Sequence, residues 1–527
     1  MLRKYGFNIP KSSLAATASE AADLAAGIGF PVALKIESPD IVHKTDVGGV
    51  ALNLGSAHDV ARGFEGILAA VRRHAPQARV HGVRVEEMCT RGVEVIIGLT
   101  RDPQFGPCIM FGLGGVLTEL LEDVSFRVLP LTMRDATDMV NEVRGRAILD
   151  GYRGQPPVSR EMLVELLLQV GRLGMDVADE LGAVDLNPVV VWGDDYRVLD
   201  AKFLLNSEPT PVRDGTPSIE HVDTFFHPRS VALIGASATP GKIGHAILDS
   251  LLRAGYSGAI HPINPARDEV MGRRAYPSVK DVPGAVDLVV VALPLAATPG
   301  LVADCAAKGV RNIIIISGGG KELGGDSQAL ESRIVSLARD HGIRIVGPNC
   351  IGVVNPAVNL DTLFMVRERM TRPRPGRIAM ITQSGTVGVA FLESAARVGI
   401  SKFVSYGNRA DVDEADLLAY LAGDEQTAAI ACYVEGFSDG RKFLQAARTV
   451  NPRKPIVIFK AGRSHQGARA SLSHTGFFGG RHAVSRGAFR QAGLIDVDSV
   501  EQLYEAAKAL TLQPAAAGPR LGMISNG

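Results

Sequence analysis

The segment Ser471-Leu-Ser-His-Thr-Gly476 surrounds a histidine with small neighbours, so a bulky phosphate could reach the ring of His474. Imidazole is an adequate nucleophile at neutral pH, and its phosphoramidate is reactive enough to hand phosphate onward. Glu435, in Tyr433-Val-Glu-Gly436, is a candidate to orient the other ring nitrogen and raise its basicity. Taken alone, the segment fits a solvent-facing loop histidine better. What changes that reading is the rest of the chain.

Several other residue patterns suit phosphate and metal. Lys35 closes the apolar run Pro31-Val-Ala-Leu, where a strand-end lysine could neutralise a phosphate. Asn187 and Asp200, with Asp185 beside them, offer hard oxygen ligands of the kind Mg²⁺ takes while nucleotide phosphates complete its shell. Val231-Ala-Leu-Ile leads into a turn with Gly235, Ser237, Gly241, Lys242 and Gly244, where backbone N–H groups could approach a phosphate at a helix start. The turn is longer than a G-x-G-x-x-G, and Asn264 stands where a nicotinamide dinucleotide site would want an acid. An acid there would repel the 3′-phosphate of coenzyme A, whereas Asn264 would not. Ser384 and Gly385, after Arg377-Ile-Ala-Met-Ile, offer another helix start to an anion.

These residues need elements to hold them. Short Val/Ile/Leu runs flanked by Gly and Pro alternate with longer Ala-rich stretches, which suits parallel strands buried on both faces and an α/β fold. With 527 residues, more than one core is required. Pro- and charge-rich joints at 206–217 and 367–376 divide the chain into three segments. Lys+Arg and Asp+Glu each number 56, so no net field would draw in nucleic acid or a membrane surface. Five scattered cysteines form no C-x-x-C pair, and no signal-like or membrane-length apolar run is present, which points to the cytoplasm. Cys350 is expected to be a buried structural residue.

In combination and order these motifs resemble the nucleoside-diphosphate-forming acyl-CoA synthetases, relatives of succinyl-CoA synthetase. The resemblance implies an ATP-grasp nucleotide-binding domain over 1–205, a CoA-binding Rossmann-like domain over 220–365 and a flavodoxin-like phosphohistidine domain over 375–512. It assigns Lys35 to the nucleotide phosphates, Glu86 and Glu87 to the adenine–ribose site, and Asn187 and Asp200 to Mg²⁺. His43, in His-Lys-Thr-Asp-Val-Gly-Gly49, resembles a second histidine that receives phosphate. Pro294 in Val291-Ala-Leu-Pro294, Ser317-Gly-Gly-Gly-Lys-Glu322 and Asn349 in Gly347-Pro-Asn-Cys belong to the implied CoA domain. The segment Ser405-Tyr-Gly-Asn-Arg-Ala-Asp-Val-Asp413 belongs to the third domain. One departure stands out: Gly319 and Gly320 occupy the place where the family usually carries an aromatic residue.

The implied reaction joins a carboxylic acid to CoA at the expense of ATP, giving ADP and phosphate through phosphohistidine and acyl phosphate, with the segment around His474 expected to move. A homo-oligomer is expected. The last ten residues, 518–527, read as the first strand of a further domain cut short, so a partner chain supplying that domain is the alternative arrangement. The other function to weigh is a CoA- and nucleotide-binding regulatory part of a protein lysine acyltransferase.

Overall fold

The computed structural model describes residues 1–41, 44–89, 92–114, 123–151, 156–206, 212, 215–462, 481–514, 518, 520 and 522–525. His43 and His474 lie outside the described residues, as do His465 and four residues of the 518–527 segment. The chain divides into two compact units, with the main division between Val212 and Arg213.

The first unit contains two antiparallel sheets. One runs in the order β1-β4-β2-β3, from β1 (Ser12–Ala15), β2 (Val32–Glu37), β3 (Val50–Leu54) and β4 (Gly82–Glu87). Alternation along β2 and β4 sends Val32, Leu34, Ile36, Val83 and Val85 into one core. The helix Ala57–His74 covers that core with Val60, Phe64, Ile67 and Val71, spaced to fall on one helical face. Ser56 caps its start by accepting the Asp59 N–H, and Arg72, Arg73 and His74 complement the dipole at its end.

The second sheet comprises β5 (Val93–Asp102), β6 (Gly106–Leu113), β7 (Val124–Val128), β8 (Leu181–Trp192), β9 (Asp195–Val198) and β10 (Ala201–Leu205). Its order is β10-β8-β5-β6-β7, with β9 also paired to β8. The helices Met133–Glu142 and Arg160–Asp176 supply Met139, Val140, Leu163, Leu167 and Val170 to its separate core.

The second unit holds two mainly parallel sheets. The five-stranded one uses β11 (Ser230–Ile234), β12 (Ala259–Ile263), and then β15 (Leu288–Val291), β16 (Asn312–Ile315) and β17 (Arg344–Val346), after a small hairpin of β13 (Glu269–Val270) and β14 (Arg273–Arg274). Its order, β12-β11-β15-β16-β17, reverses direction between β11 and β15. The seven-stranded sheet uses β18 (Gly352–Asn355), β19 (Leu360–Asp361), β20 (Pro375–Thr382), β21 (Ile400–Ser405), β22 (Ala429–Val434), β23 (Ile456–Lys460) and β24 (Ile495–Asp496). Its order is β19-β18-β21-β20-β22-β23-β24, and the chain reverses direction between β20 and β22. Every residue of β11, β15, β16, β21 and β22 is buried, as continuous apolar runs in covered parallel sheets require. Ligands of such sheets bind where the direction reverses, beyond the strand C-termini.

Three sequence segments thus fold into two compact units, and charge pairs of Arg344 cross between the second and third segments. Arg344 on β17 pairs with Asp411 at 3.0 Å and Asp416 at 2.7 Å. Lys442 pairs with Asp413 at 2.8 Å and Asp416 at 2.7 Å. Burial works against the Arg344 charge, but the two carboxylates more than offset it.

Candidate functional site

In the first unit several of the nucleotide candidates come together. Lys35 lies inside β2, two residues short of its end, rather than at a strand end as expected, because the strand continues through Ile36 and Glu37 in pairing with β4. Its Nζ lies 2.7 Å from Glu86 Oε2 on β4. The same ammonium donates to the Leu199 carbonyl at 2.7 Å, in the turn between β9 and β10. Lys35 is therefore already paired, and phosphate contact would require it to exchange partners. Glu87, the next residue, accepts the Lys11 N–H at 3.3 Å.

Asn187 and Asp200 are brought together by the pairing of β8 with β10. Asn187 N donates to the Asp200 carbonyl at 3.2 Å, and Lys202 stands opposite Asp185 in the register. Burial, followed by the charge of Asp200, pushes the Asp185 carboxyl up, with Lys202 opposing. Lys44 reaches Asp200 at 3.6 Å. Among the described residues no group of three His, Cys, Asp or Glu forms a metal cluster. Two carboxylates that repel each other beside an amide oxygen nevertheless fit Mg²⁺, which accepts few protein ligands and keeps water or phosphate for the rest.

The CoA candidates in the second unit form a site built mostly from backbone. Gly235 and Gly241 have φ of 87° and 86°, a region that side chains other than glycine rarely occupy. A Cβ at Gly244 would sit 1.9 Å from the Gly235 carbonyl oxygen. The helix Ile243–Ala254 starts there, and Lys242, at its N-cap, makes no side-chain cap bond. Ser237 Oγ accepts the Thr239 N–H at 3.1 Å. Asn264 uses its amide on the protein itself: Nδ2 donates to Ala236 O and Oδ1 accepts from Ala266 N, both at 2.9 Å. It thereby ties the end of β12 to the glycine turn. Pro294 follows β15 and opens a short 3-10 helix, Leu295–Ala297.

Asn349, at φ 59°, donates from its backbone to Ser317 O at 2.9 Å and from its amide to Asn408 Oδ1 at 3.3 Å. Gly320 also has a structural explanation. A Cβ at Gly320 would lie 2.1 Å from Glu331 Oε2. That carboxylate accepts from Lys321 N at 2.9 Å and from Asn408 Nδ2 at 2.8 Å. A buried glutamate thus takes the space a side chain would need. Cys350 is buried as expected, and burial pushes its thiol up to about 12, which leaves it inert at neutral pH.

The third group lies at the direction reversal of the seven-stranded sheet. Ser384 caps the helix Gly385–Ser394 by accepting the Val387 N–H at 3.4 Å, with Gly385 packed so that a Cβ would meet Ile351 at 2.7 Å. Glu435 is exposed just beyond β22. Its N–H donates to the Gln383 side-chain carbonyl, which also takes Gly436 N at 3.2 Å, while Gln383 Nε2 returns a bond to Gly436 O at 3.4 Å. Sequence reasoning missed Gln383, although it directly precedes Ser384. From β23, Lys460 to Gly462 leads into the undescribed segment that carries His474.

Known proteins match this arrangement along the whole chain. Family models match an ATP-grasp domain over residues 1–205, a CoA binding domain over 229–356 and a succinyl-CoA ligase-like flavodoxin domain over 375–510. The acetate–CoA ligase [ADP-forming] II of Archaeoglobus fulgidus is 38% identical over 528 residues, covering 99% of this chain and 76% of that protein. Subunit alpha of acetate–CoA ligase [ADP-forming] I from Pyrococcus furiosus is 41% identical over 312 residues, covering 58% of this chain and 67% of that one. The solved dinucleotide-forming acetyl-coenzyme A synthetase 1 of Ca. Korarchaeum cryptofilum, in complex with phosphate and ADP, is 39% identical with a TM-score of 0.52. That match covers 56% of this chain and 64% of the solved one. The chain belongs to the ADP-forming acyl-CoA ligases, a family of acid–thiol ligases with ATP-grasp, CoA-binding and flavodoxin-like domains in that order. No helix among the described residues is long and apolar enough to cross a membrane.

Proposed function

We propose that this chain joins a carboxylic acid to CoA while converting ATP to ADP and phosphate. The observation that carries this reading is the direction reversal of the seven-stranded sheet. There Gln383 holds the Glu435 loop beside the capped helix start at Ser384–Gly385. Residues 1–205 bind the nucleotide, 220–365 bind CoA and 375–512 carry the phosphate. Lys35 exchanges Glu86 for nucleotide phosphate, with Glu86 and Glu87 bordering the adenine and ribose. Asn187 and Asp200, supported by Asp185, hold Mg²⁺, which when bound would neutralise phosphate charge.

The γ-phosphate of ATP passes to a histidine nitrogen and ADP leaves, at His43 first and then His474. A carboxylate oxygen takes the phosphate from His474, breaking the P–N bond and leaving a bound acyl phosphate. The CoA thiol then attacks the acyl carbon, and inorganic phosphate departs. Division into these steps avoids attack of a thiol on a carboxylate anion. Glu435 orients the His474 ring, while N–H groups at Ser384–Gly385 receive the migrating phosphate. Gly235, Ser237, Gly241, Lys242, Gly244 and Asn264 shape the CoA turn, with Pro294 and Asn349 at its flanks. The acid is written as a class; acetate is the named substrate of the relatives above and the first to assay.

The test is incubation with γ-labelled ATP and Mg²⁺, comparing the unmodified chain with His474→Ala. An acid-labile, base-stable label should form on the protein and be lost in the variant. A folded protein that takes no label, and releases no ADP with any acid and CoA, would sink the reading in favour of a regulatory role.

A further inference from the structure

The loops at the end of the seven-stranded sheet contain a cation that the scheme above does not use. Arg409 lies in the turn after β21, inside the Ser405–Asp413 segment. Its φ is 49°, a left-handed conformation uncommon for a long side chain. The turn cannot easily relax. A Cβ at Gly407 would lie 2.3 Å from the carbonyl oxygens of both Pro348 and Asn349. Arg409 N donates to Tyr406 O at 2.9 Å, and Ala410 N donates to Gly347 O at 3.1 Å. Backbone geometry therefore fixes where the side chain starts.

The side chain is mostly buried, at 15% exposure. Its Nε and Nη1 are shut off from solvent and have no hydrogen-bond partner among the described residues. The nearest counter-charge, Glu414 Oε1, stands 4.0 Å from Nη1, beyond hydrogen-bond reach. Glu414 is itself 2% exposed, with the Tyr406 hydroxyl as a neighbour that favours its ionised form. Burial pushes its acid up to about 7 despite the opposing pull of Arg409, so it is a weak neutraliser. Nη2 lies 3.9 Å from where a Cβ would stand on Gly436, the residue after Glu435. The arrangement is a fixed guanidinium with unmet donors, next to the loop assigned above to phosphate chemistry. A buried donor without a partner is unfavourable, and a guanidinium has only donors to offer, in a fork that matches carboxylate and phosphate.

We propose that Arg409 docks an oxyanion at the C-terminal ends of β20, β21 and β22: the carboxylate of the acid, or the phosphate that leaves it. The assignment of substrates rests on the function proposed above. Arg409 is then a substrate-binding residue, and Glu414 positions it without cancelling its charge.

The test uses the full chain and its Arg409→Lys and Arg409→Met variants, each checked by thermal melting. Histidine labelling from γ-labelled ATP precedes acid binding and should stay within about twofold. In the forward direction the KM for acetate should rise at least tenfold in Arg409→Met and less in Arg409→Lys, with the KM for CoA nearly constant. A rise confined to the KM for inorganic phosphate in the reverse direction would identify phosphate as the oxyanion. If neither KM moves threefold, or if labelling falls in step with turnover, the docking role is overturned. Should Arg409→Met fail to fold, calorimetric titration of acetate and inorganic phosphate into Arg409→Lys and the unmodified chain replaces it; equal affinities for both anions overturn the proposal. That titration stands even if the unmodified chain neither takes label nor releases ADP, an outcome that would refute the proposed reaction alone.

Discussion

The two parallel sheets of the second unit reverse direction in the same way, yet their ends are furnished differently. Beyond β11 the turn is made of backbone: Gly235, Gly241 and Gly244 remove side chains so that N–H groups stand clear. Beyond β20 the end is made of side chains, with Gln383, Arg409 and Glu435 arriving from three loops. A backbone site tolerates loss of its polar side chains but not the addition of a methyl group. A side-chain site depends in addition on the polar groups themselves, although Gly385 and Gly407 leave no room for a methyl group there either.

The most severe break in that comparison is Gly244→Ala. The new Cβ would need to displace the Gly235 carbonyl from 1.9 Å, at a cost of about 3 kcal/mol or more, so CoA affinity should fall over a hundredfold or the turn should unfold. Calorimetric titration with CoA measures it, and unchanged affinity would show that the turn is not the site.

Glu414→Gln probes the other sheet through pH. The folded acid titrates at about 7 against an ordinary 4.5, so the fold favours its neutral form. Its stabilising contribution is complete below pH 4.5 and is lost as pH rises through 7. The glutamine variant should therefore match the parent at pH 4.5 and exceed it by up to about 3 kcal/mol at pH 8.5 in denaturant unfolding. A pH-independent difference would mean that Glu414 is a full counter-ion to Arg409, and the guanidinium would no longer be short of partners.

Gln383→Ala removes the three bonds that hold the Glu435–Gly436 loop. We expect about 1–2 kcal/mol lost from stability and roughly tenfold lower turnover. Stability loss with full turnover would detach the loop from the chemistry. The smallest effect is expected for Ser237→Ala, whose hydroxyl bonds only Thr239 N. CoA affinity should stay within about threefold, and a larger drop would mean that the turn relies on that hydroxyl after all.

The same contrast governs what the sequence could disclose. Glycines state a backbone requirement by their identity, so the turn at 235–244 was legible, as were the strands written in continuous apolar runs. Cys350 was legible as a buried thiol for the same local reason. Arg409 lay within the Ser405–Asp413 segment and Gln383 directly before Ser384, but neither spacing nor residue type says that their loops meet. The glycines at 319 and 320 were visible as a departure, whereas the cause at Gly320, Glu331, sits on the helix Gly325–Asp340 and carries no local mark. Lys35 was read as a strand-end lysine, and its partner Glu86 only appears once β2 and β4 pair.

The shared ion pairs between these sheets have a thermodynamic consequence. Asp413 caps the helix Glu414–Gly423, and Asp413 and Asp416 in its first turn bind Lys442, with Asp416 also binding Arg344 from the five-stranded sheet. Removing Arg344 takes the ion-pair partner from Asp411 and leaves Asp416 with Lys442 alone, which is costlier than losing a surface pair. The Arg344 pairs therefore couple the stability of the two sheets. Residues 215–462 should accordingly give one calorimetric transition, and Arg344→Met should split it into two as the sheets gain separate melting temperatures.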